Sequence, residues 1–189
     1  IRVGRYKDAA DANERASLAD EDYIAQCRAQ GVYPVSYYPH NLHFIWMGAT
    51  AAGQSKLALD SAKRLASAIP HEALGTVPIL QGFLVVPYWA MVRFEKWDDI
   101  LADKGPHHDT PFTRGVWRYA TGMAFAGKDQ LAEAERALSE VPATPLDFPP
   151  AVPVLGIYPT METLAAQAPL LCVFIARSLW MGLERRRAV

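Results

Sequence analysis

The sequence is poor in the features that would identify a particular chemistry. Its 189 residues contain two cysteines, Cys27 and Cys172, without a CxxC pair or a Cys/His cluster, so they indicate neither a zinc site nor a disulfide framework. The HExxH, GxSxG, GxxxxGK[ST] and GxGxxG patterns are all absent. We therefore expect no bound metal, no cofactor and no catalytic residue. This favours a non-enzymatic protein and leaves an enzyme as the open alternative.

Excess charge and long apolar runs are also scarce. Nineteen Lys plus Arg residues face 20 Asp plus Glu residues, so the formal net charge of -1 gives no field that would attract nucleic acid or an anionic membrane. The longest apolar stretch, 168–183, is interrupted by Pro169 and Arg177 and is shorter than the roughly 20 residues of a membrane span. No signal-peptide pattern follows Ile1. We expect no nucleic-acid or membrane partner and a cytoplasmic location.

Alanine is what the sequence has in excess. Its 30 alanines outnumber the 29 Val, Ile and Thr residues together, which favours closely packed helices over sheet. Helical periodicity alternates with glycine breaks, so an all-α fold is predicted, with Asp20 and Thr76 as N-caps and with Pro87 kinking or splitting the fifth helix. The predicted helices lie near residues 5–18, 21–30, 39–52, 54–68, 77–94, 95–104, 112–126 and 128–140.

An internal repeat follows the breaks. The segments Gly4 to Ala9, Gly53 to Ala58 and Gly127 to Ala132 share a glycine with an alanine five places later, and Glu95 to Ile100 fits the same frame without the glycine. The glycine would turn one helix into the next, and the small residue would let the two helices approach closely. The pattern predicts paired helices.

These pairs resemble the tetratricopeptide repeat (TPR) family, whose unit is a 34-residue antiparallel helix pair. With Pro39 as the first position of the second unit, Gly53, Ala58 and Pro70 fall where the family has its turn glycine, packing alanine and terminal proline. The resemblance implies antiparallel helix pairs stacked as a short right-handed superhelix, which is a TPR-like α-solenoid. Unequal spacing between the units implies inserted loops or extra helices.

The chain also resembles part of larger bacterial TPR-containing proteins, through Tyr38–Phe44 and Arg93–Leu101. The resemblance covers a repeat domain at 1–144, in which the first repeat is incomplete. It is followed by a predicted proline-rich connector at 145–159 and a predicted apolar helix at 160–189. The resemblance attaches no single activity to the chain.

In this family the first helix of each unit lines a concave groove that holds peptides. The resemblance therefore implies a helical-repeat scaffold that binds a peptide segment or a partner protein in its concave groove. A tryptophan in such a repeat is equally often a core residue. Carried over by position, the candidate binding residues are His40, His43, Met47, Trp89, Arg93, Arg114, Trp117 and Thr121.

Two alternatives remain open at this stage. His40 and His43 share a helix face with Met47 one turn later, which would suit a small-molecule or metal-dependent enzyme, although the set lacks a fourth ligand. The apolar helix at 160–189 could instead join two copies of the chain into a homo-oligomer. The run His107-His108-Asp109 is typical of a surface turn.

Overall fold

The computed structural model describes residues 1–27 and 32–141, and residues Ile1–Val141 form one compact unit. The predicted connector at 145–159 and the predicted helix at 160–189 lie outside the described residues. Those described contain helices and no strand, which confirms the all-α prediction for them. None of these helices has both the length and the hydrophobicity to cross a membrane. The helices are α1 (Tyr6–Cys27), α2 (Val32–Ala51), α3 (Ser55–Ser67), α4 (Gln81–Leu84), α5 (Val86–Arg93), α6 (Trp97–Ala102), α7 (Pro111–Gly127) and α8 (Leu131–Ser139), with 3₁₀ turns at His71–Gly75 and Pro78–Leu80.

The helices pack mainly in chain order. Helix α1 contacts α2, α2 contacts α3, and α3 contacts α5. Helix α5 in turn contacts α6 and α7, and α7 contacts both α6 and α8. Three residues each separate α2 from α3, α5 from α6 and α7 from α8. Such short connections make the joined helices antiparallel neighbours. The two 3₁₀ turns and α4 are inserted between the first and second of these pairs.

The three turns between paired helices share one construction. Their middle residues, Gly53, Glu95 and Asp129, have φ angles of +71°, +54° and +58°. In each turn the next residue donates its backbone N–H to a carbonyl five residues back, at 2.9 Å. The predicted frame placed the turn before α8 at Gly127, which is wrong by two residues. Asp tolerates the left-handed conformation better than most side chains, so glycine was not required at this turn.

Helix α1 is longer than predicted. The sequence pattern predicts two helices, at 5–18 and 21–30, separated by a cap at Asp20, whereas Tyr6–Cys27 is continuous. Asp20 lies inside the helix, is 6% exposed, and accepts a hydrogen bond from Asn41 Nδ2 at 2.7 Å. A partner on α2 thus satisfies the carboxylate, which has no capping role.

Two proline-containing segments also differ from expectation. Helix α2 begins at Val32 and not at 39, and Pro39 lies inside it with its ring fully buried. The predicted helix at 77–94 is divided, because α4 ends before Pro87 and α5 carries this proline in its first turn, where its missing N–H costs nothing. The predicted division at Pro87 is confirmed. Thr76 caps no helix start and instead ends the first 3₁₀ turn.

Helix α5 is buried on two sides. Val86 and Ala90 pack with residues of α2 and α3, whereas Tyr88 and Met91 pack with residues of α6 and α7. Burial of a large apolar side chain stabilises the fold by about 1.5–3 kcal/mol. Alanine occupies many of the close contacts, as predicted from its excess. The buried alanines are Ala10, Ala49, Ala58, Ala62, Ala90, Ala120, Ala124 and Ala137.

The approach of α1 to α2 depends on a glycine. A Cβ at Gly48 would lie 2.9 Å from the Tyr6 carbonyl oxygen and 3.1 Å from the Ala10 backbone nitrogen. Both are backbone atoms, which cannot rotate away. By contrast, a Cβ at Gly122 in α7 would lie 3.6 Å from the Ala134 carbonyl oxygen, an ordinary contact.

We predict opposite effects of alanine at these two helical glycines. Gly48→Ala should lower the free energy of unfolding by about 1–3 kcal/mol, because α1 must move away from α2. Gly122→Ala should raise it by up to about 1 kcal/mol, because alanine has the higher helix propensity. Urea denaturation followed by circular dichroism measures both variants. Equal stability changes would show that the α1–α2 contact is looser than the structure has it.

Candidate functional site

A row of aromatic rings crosses from α2 to α5. His43 and Trp46 lie three residues apart on α2, with ring centroids 5.2 Å apart, and Trp46 lies 6.4 Å from Trp89 of α5. Phe83 of α4 closes on the His43 ring at 5.5 Å. Tilted rings at these separations attract one another beyond their simple burial. We call His43, Trp46, Phe83 and Trp89 the aromatic row.

Solvent reaches the aromatic row from both helices. Trp89 is 39% exposed and Met47, on the next position after Trp46, is 38% exposed. His40 is exposed one turn before His43, and its ring centroid lies 4.5 Å from that of Phe44. The row therefore offers partly buried rings with accessible apolar edges, which is the usual composition of a recognition surface.

Arg93 supplies a positive charge beside the row. It follows Trp89 by four residues on α5, so the two side chains share a helix face. The guanidinium carbon lies 5.8 Å from the Phe94 ring centroid, and no carboxylate of the described residues forms an ion pair with Arg93. An anionic group bound next to Trp89 would meet this cation.

Polar atoms without partners follow the same part of α2. Trp46 Nε1, Thr50 Oγ1 and Gln54 Oε1 are buried and make no hydrogen bond to any described residue. They recur at intervals of four residues along α2 and the turn after it. Leaving a buried polar group unsatisfied costs about 1–3 kcal/mol, so these atoms lower the stability of this part of the fold. Trp46 was not among the residues predicted to line the groove, although its spacing from His43 is helical.

The three candidates on α7 make internal contacts. Arg114 Nε donates to Asp109 Oδ1 at 2.8 Å, and a second nitrogen of the same guanidinium bonds the other oxygen. Trp117 packs with the core of α5, α6 and α7, and the Arg118 guanidinium stacks 4.4 Å from its ring centroid. Thr121 is buried and donates its hydroxyl to the Trp117 carbonyl at 2.9 Å. Five of the predicted residues thus lie on or beside the aromatic row: His40, His43, Met47, Trp89 and Arg93. The α7 residues Arg114, Trp117 and Thr121 take part in other contacts.

A cavity of about 620 Å³ lies apart from the aromatic row. Its apolar wall includes Leu84, Pro87 and Met91, and the insertion between α3 and α5 supplies His71. The loop from α6 to α7 contributes His107 and His108, for which the sequence predicts a surface turn. The remaining lining residues are Lys63, Ala66, Ser67, Tyr88, Asp99, Ala102, Asp103 and Pro106.

Tyr88 and Asp103 are neighbours in the lining of the cavity. Asp103 Oδ1 accepts the Gly105 backbone N–H at 2.7 Å and lies 3.5 Å from the Tyr88 hydroxyl. Burial, and then the Asp103 charge, raises the pKa of the Tyr88 hydroxyl, so it stays protonated. His71 and His108 meet edge to face, with ring centroids 5.6 Å apart.

Neither feature has the ligand set of an ordinary metal centre. Within residues 1–27 and 32–141, no group of three or more His, Cys, Asp or Glu side chains is arranged to hold a metal. His40 and His43 contact aromatic rings instead. The histidine pair therefore lacks the protein ligands that Zn²⁺ requires.

Comparison with known proteins adds no relative. No family model, curated protein or solved structure matches the chain.

We predict that His43 titrates at low pH. Burial lowers its pKa below the ordinary 6.5, and repulsion from His40 lowers it further. The imidazole signals of His43, followed by NMR through a pH titration, should give a midpoint below 6.5. In His40→Gln the midpoint should rise part of the way, since burial remains. His107→Gln should leave it unchanged, and a His43 midpoint at or above 6.5 would contradict the packing of the row.

The same shift predicts how stability changes with pH. Unfolded His43 binds a proton near pH 6.5, whereas folded His43 does so only at lower pH. The free energy of unfolding should therefore fall as the pH drops from 6.5 through the folded pKa. Denaturation of His43→Gln over this range should show a smaller slope than the parent chain.

Proposed function

We propose that the chain is a TPR-like helical-repeat scaffold and that it binds a peptide segment or a partner protein on the aromatic row. Packing of the helices in chain order supports a repeat architecture, because each pair contacts mainly its neighbours. The proposal places the first helices of two consecutive pairs, α2 and α5, on the ligand-binding face.

The turns support the repeat reading more specifically. Glu95 and Asp129 occupy equivalent places in the second and third turns, and they are 34 residues apart, which is the length of a TPR unit. Gly53 precedes Glu95 by 42 residues. The extra length lies in the 3₁₀ turns and α4, which are inserted between the first two pairs.

One observation carries the binding proposal. Ring contacts through Trp46 join His43 of α2 to Trp89 of α5, so residues 43 positions apart in the sequence, Trp46 and Trp89, present a single surface. Because these rings are only partly buried, a ligand could cover them without any rearrangement of the core. Aromatic residues with an adjacent arginine are the commonest centres of binding energy at protein interfaces.

The chemistry of the surface specifies the kind of peptide. Trp89 and Met47 would hold an apolar or aromatic side chain, and Arg93 would pair with an acidic one. We therefore propose an extended segment that combines apolar residues with at least one carboxylate.

A random peptide library displayed on phage provides the probe. Peptides selected on the whole chain should be rich in apolar residues and should carry Asp or Glu. Trp89→Ala should weaken their binding by at least about tenfold, as expected for a central aromatic contact. Arg93→Ala should weaken the acidic peptides and spare versions in which the carboxylate is replaced by an amide. Fluorescence anisotropy of the labelled peptides measures both effects.

Matched controls exist on the later helices. Tyr119→Ala removes an aromatic ring that is 48% exposed on α7, and Arg136→Ala removes an exposed arginine on α8. Both should bind the selected peptides as the parent chain does. Peptides that respond to Tyr119→Ala and ignore Trp89→Ala would place the binding surface elsewhere.

A further inference from the structure

The cavity between α3, α5, α6 and the loop after α6 has the size and composition of a small-molecule site. Ligand sites commonly measure about 300–1,000 Å³ and combine apolar walls with a few polar groups. The cavity is about 620 Å³, and Leu84, Pro87 and Met91 give it an apolar wall. It shares no lining residue with the aromatic row, so it is independent of the proposed peptide surface.

Two carboxylates and one ammonium group line the cavity, together with three histidines. Asp99 lies in α6, and Asp103, four residues later, is the C-cap of this helix. Residues at this spacing share a helix face. Neither carboxylate forms an ion pair with a described residue. Two like charges in this relation repel one another, and a cation between them would remove that repulsion.

Lys63 is the cation among the lining residues when histidines are neutral, and its position gives it another role. It lies on α3, in the last turns of a 13-residue helix that ends at Ser67. Lys63 also faces Asp60, whose pKa is lowered first by the hydrogen bond from Lys56 and further by Lys63.

Tyr88 provides an independent indication of a ligand. The residue is only 6% exposed, yet it lines the cavity. Its hydroxyl lies 3.5 Å from Asp103 Oδ1, well beyond the usual 2.7–2.8 Å of such bonds. The Tyr88 hydroxyl is thus weakly partnered as a donor, and its oxygen is able to accept a hydrogen bond from a group in the cavity.

We propose that this cavity binds a small organic cation, a primary ammonium carried on an apolar body. The ammonium would donate hydrogen bonds to Asp99, Asp103 and the Tyr88 hydroxyl, and the apolar body would pack on Pro87 and Met91. An ammonium has three donors, which matches these three acceptors.

Three probes of the same shape test the charge requirement. Phenethylamine, phenethyl alcohol and phenylpropionate share one apolar body and differ in the terminal group. Titrated into the whole chain by calorimetry or ligand-observed NMR, phenethylamine should bind at least about tenfold more tightly than the alcohol, as a charge-assisted hydrogen bond requires. Phenylpropionate should bind more weakly than both.

Variants then assign the contacts. Asp99→Asn should weaken phenethylamine binding at least about tenfold while keeping the side chain's shape. Tyr88→Phe should weaken it less, and Lys63→Met should not weaken it. The neighbouring Asp98→Asn is the matched control, because Asp98 pairs with Lys128 at 2.6 Å and does not line the cavity. Circular dichroism checks that each variant folds.

Three results would overturn the proposal. They are an absence of phenethylamine binding to the folded parent chain, phenylpropionate binding at least as tightly as the amine, and undiminished amine binding in folded Asp99→Asn. Stronger binding of phenylpropionate, abolished by Lys63→Met, would instead assign the cavity to an anion. None of these outcomes bears on the peptide surface, which shares no lining residue with the cavity.

Discussion

The described unit depends on the packing of α5. This helix has only eight residues, yet three of its faces have different surroundings. Val86 and Ala90 enter the core with α2 and α3, and Tyr88 and Met91 enter the core with α6 and α7. Trp89 belongs to the aromatic row and contacts Trp46 of α2. An isolated helix of this length is unstable in water, so its neighbours determine that it forms at all.

Both candidate sites follow from this arrangement. The residues of the aromatic row stay partly exposed because they lie beside the core formed by α2, α3 and α5. The cavity forms on the other side of α5, where an insertion and a long loop bring His71 and His108 together. In each case the longer helices fix some of the side chains. A shorter segment, α4 for the aromatic row and the loop after α6 for the cavity, adds others.

Local patterns predicted a large part of the fold. Periodicity located α3 and α7 within a few residues, and Pro87 marked the division before α5. The errors arose where a distant partner decides the outcome. Asp20 has the residue type of a cap, but Asn41 on another helix satisfies it inside α1. The turn before α8 was predicted at Gly127 because glycine favours a positive φ, whereas Asp129 adopts that backbone conformation instead.

The candidate sites were less accessible to prediction than the helices. The family resemblance identified His43 and Trp89 as candidates, but Trp46, which connects them, was not among them. The cavity depends on contacts between segments that are distant in sequence, so no local motif predicts it. Since α5 contributes buried residues to both core clusters, any fluctuation that unpacks α5 exposes both clusters to solvent together. The amide protons of α3 and α7 should then exchange with solvent in one cooperative event and not as two independent subdomains.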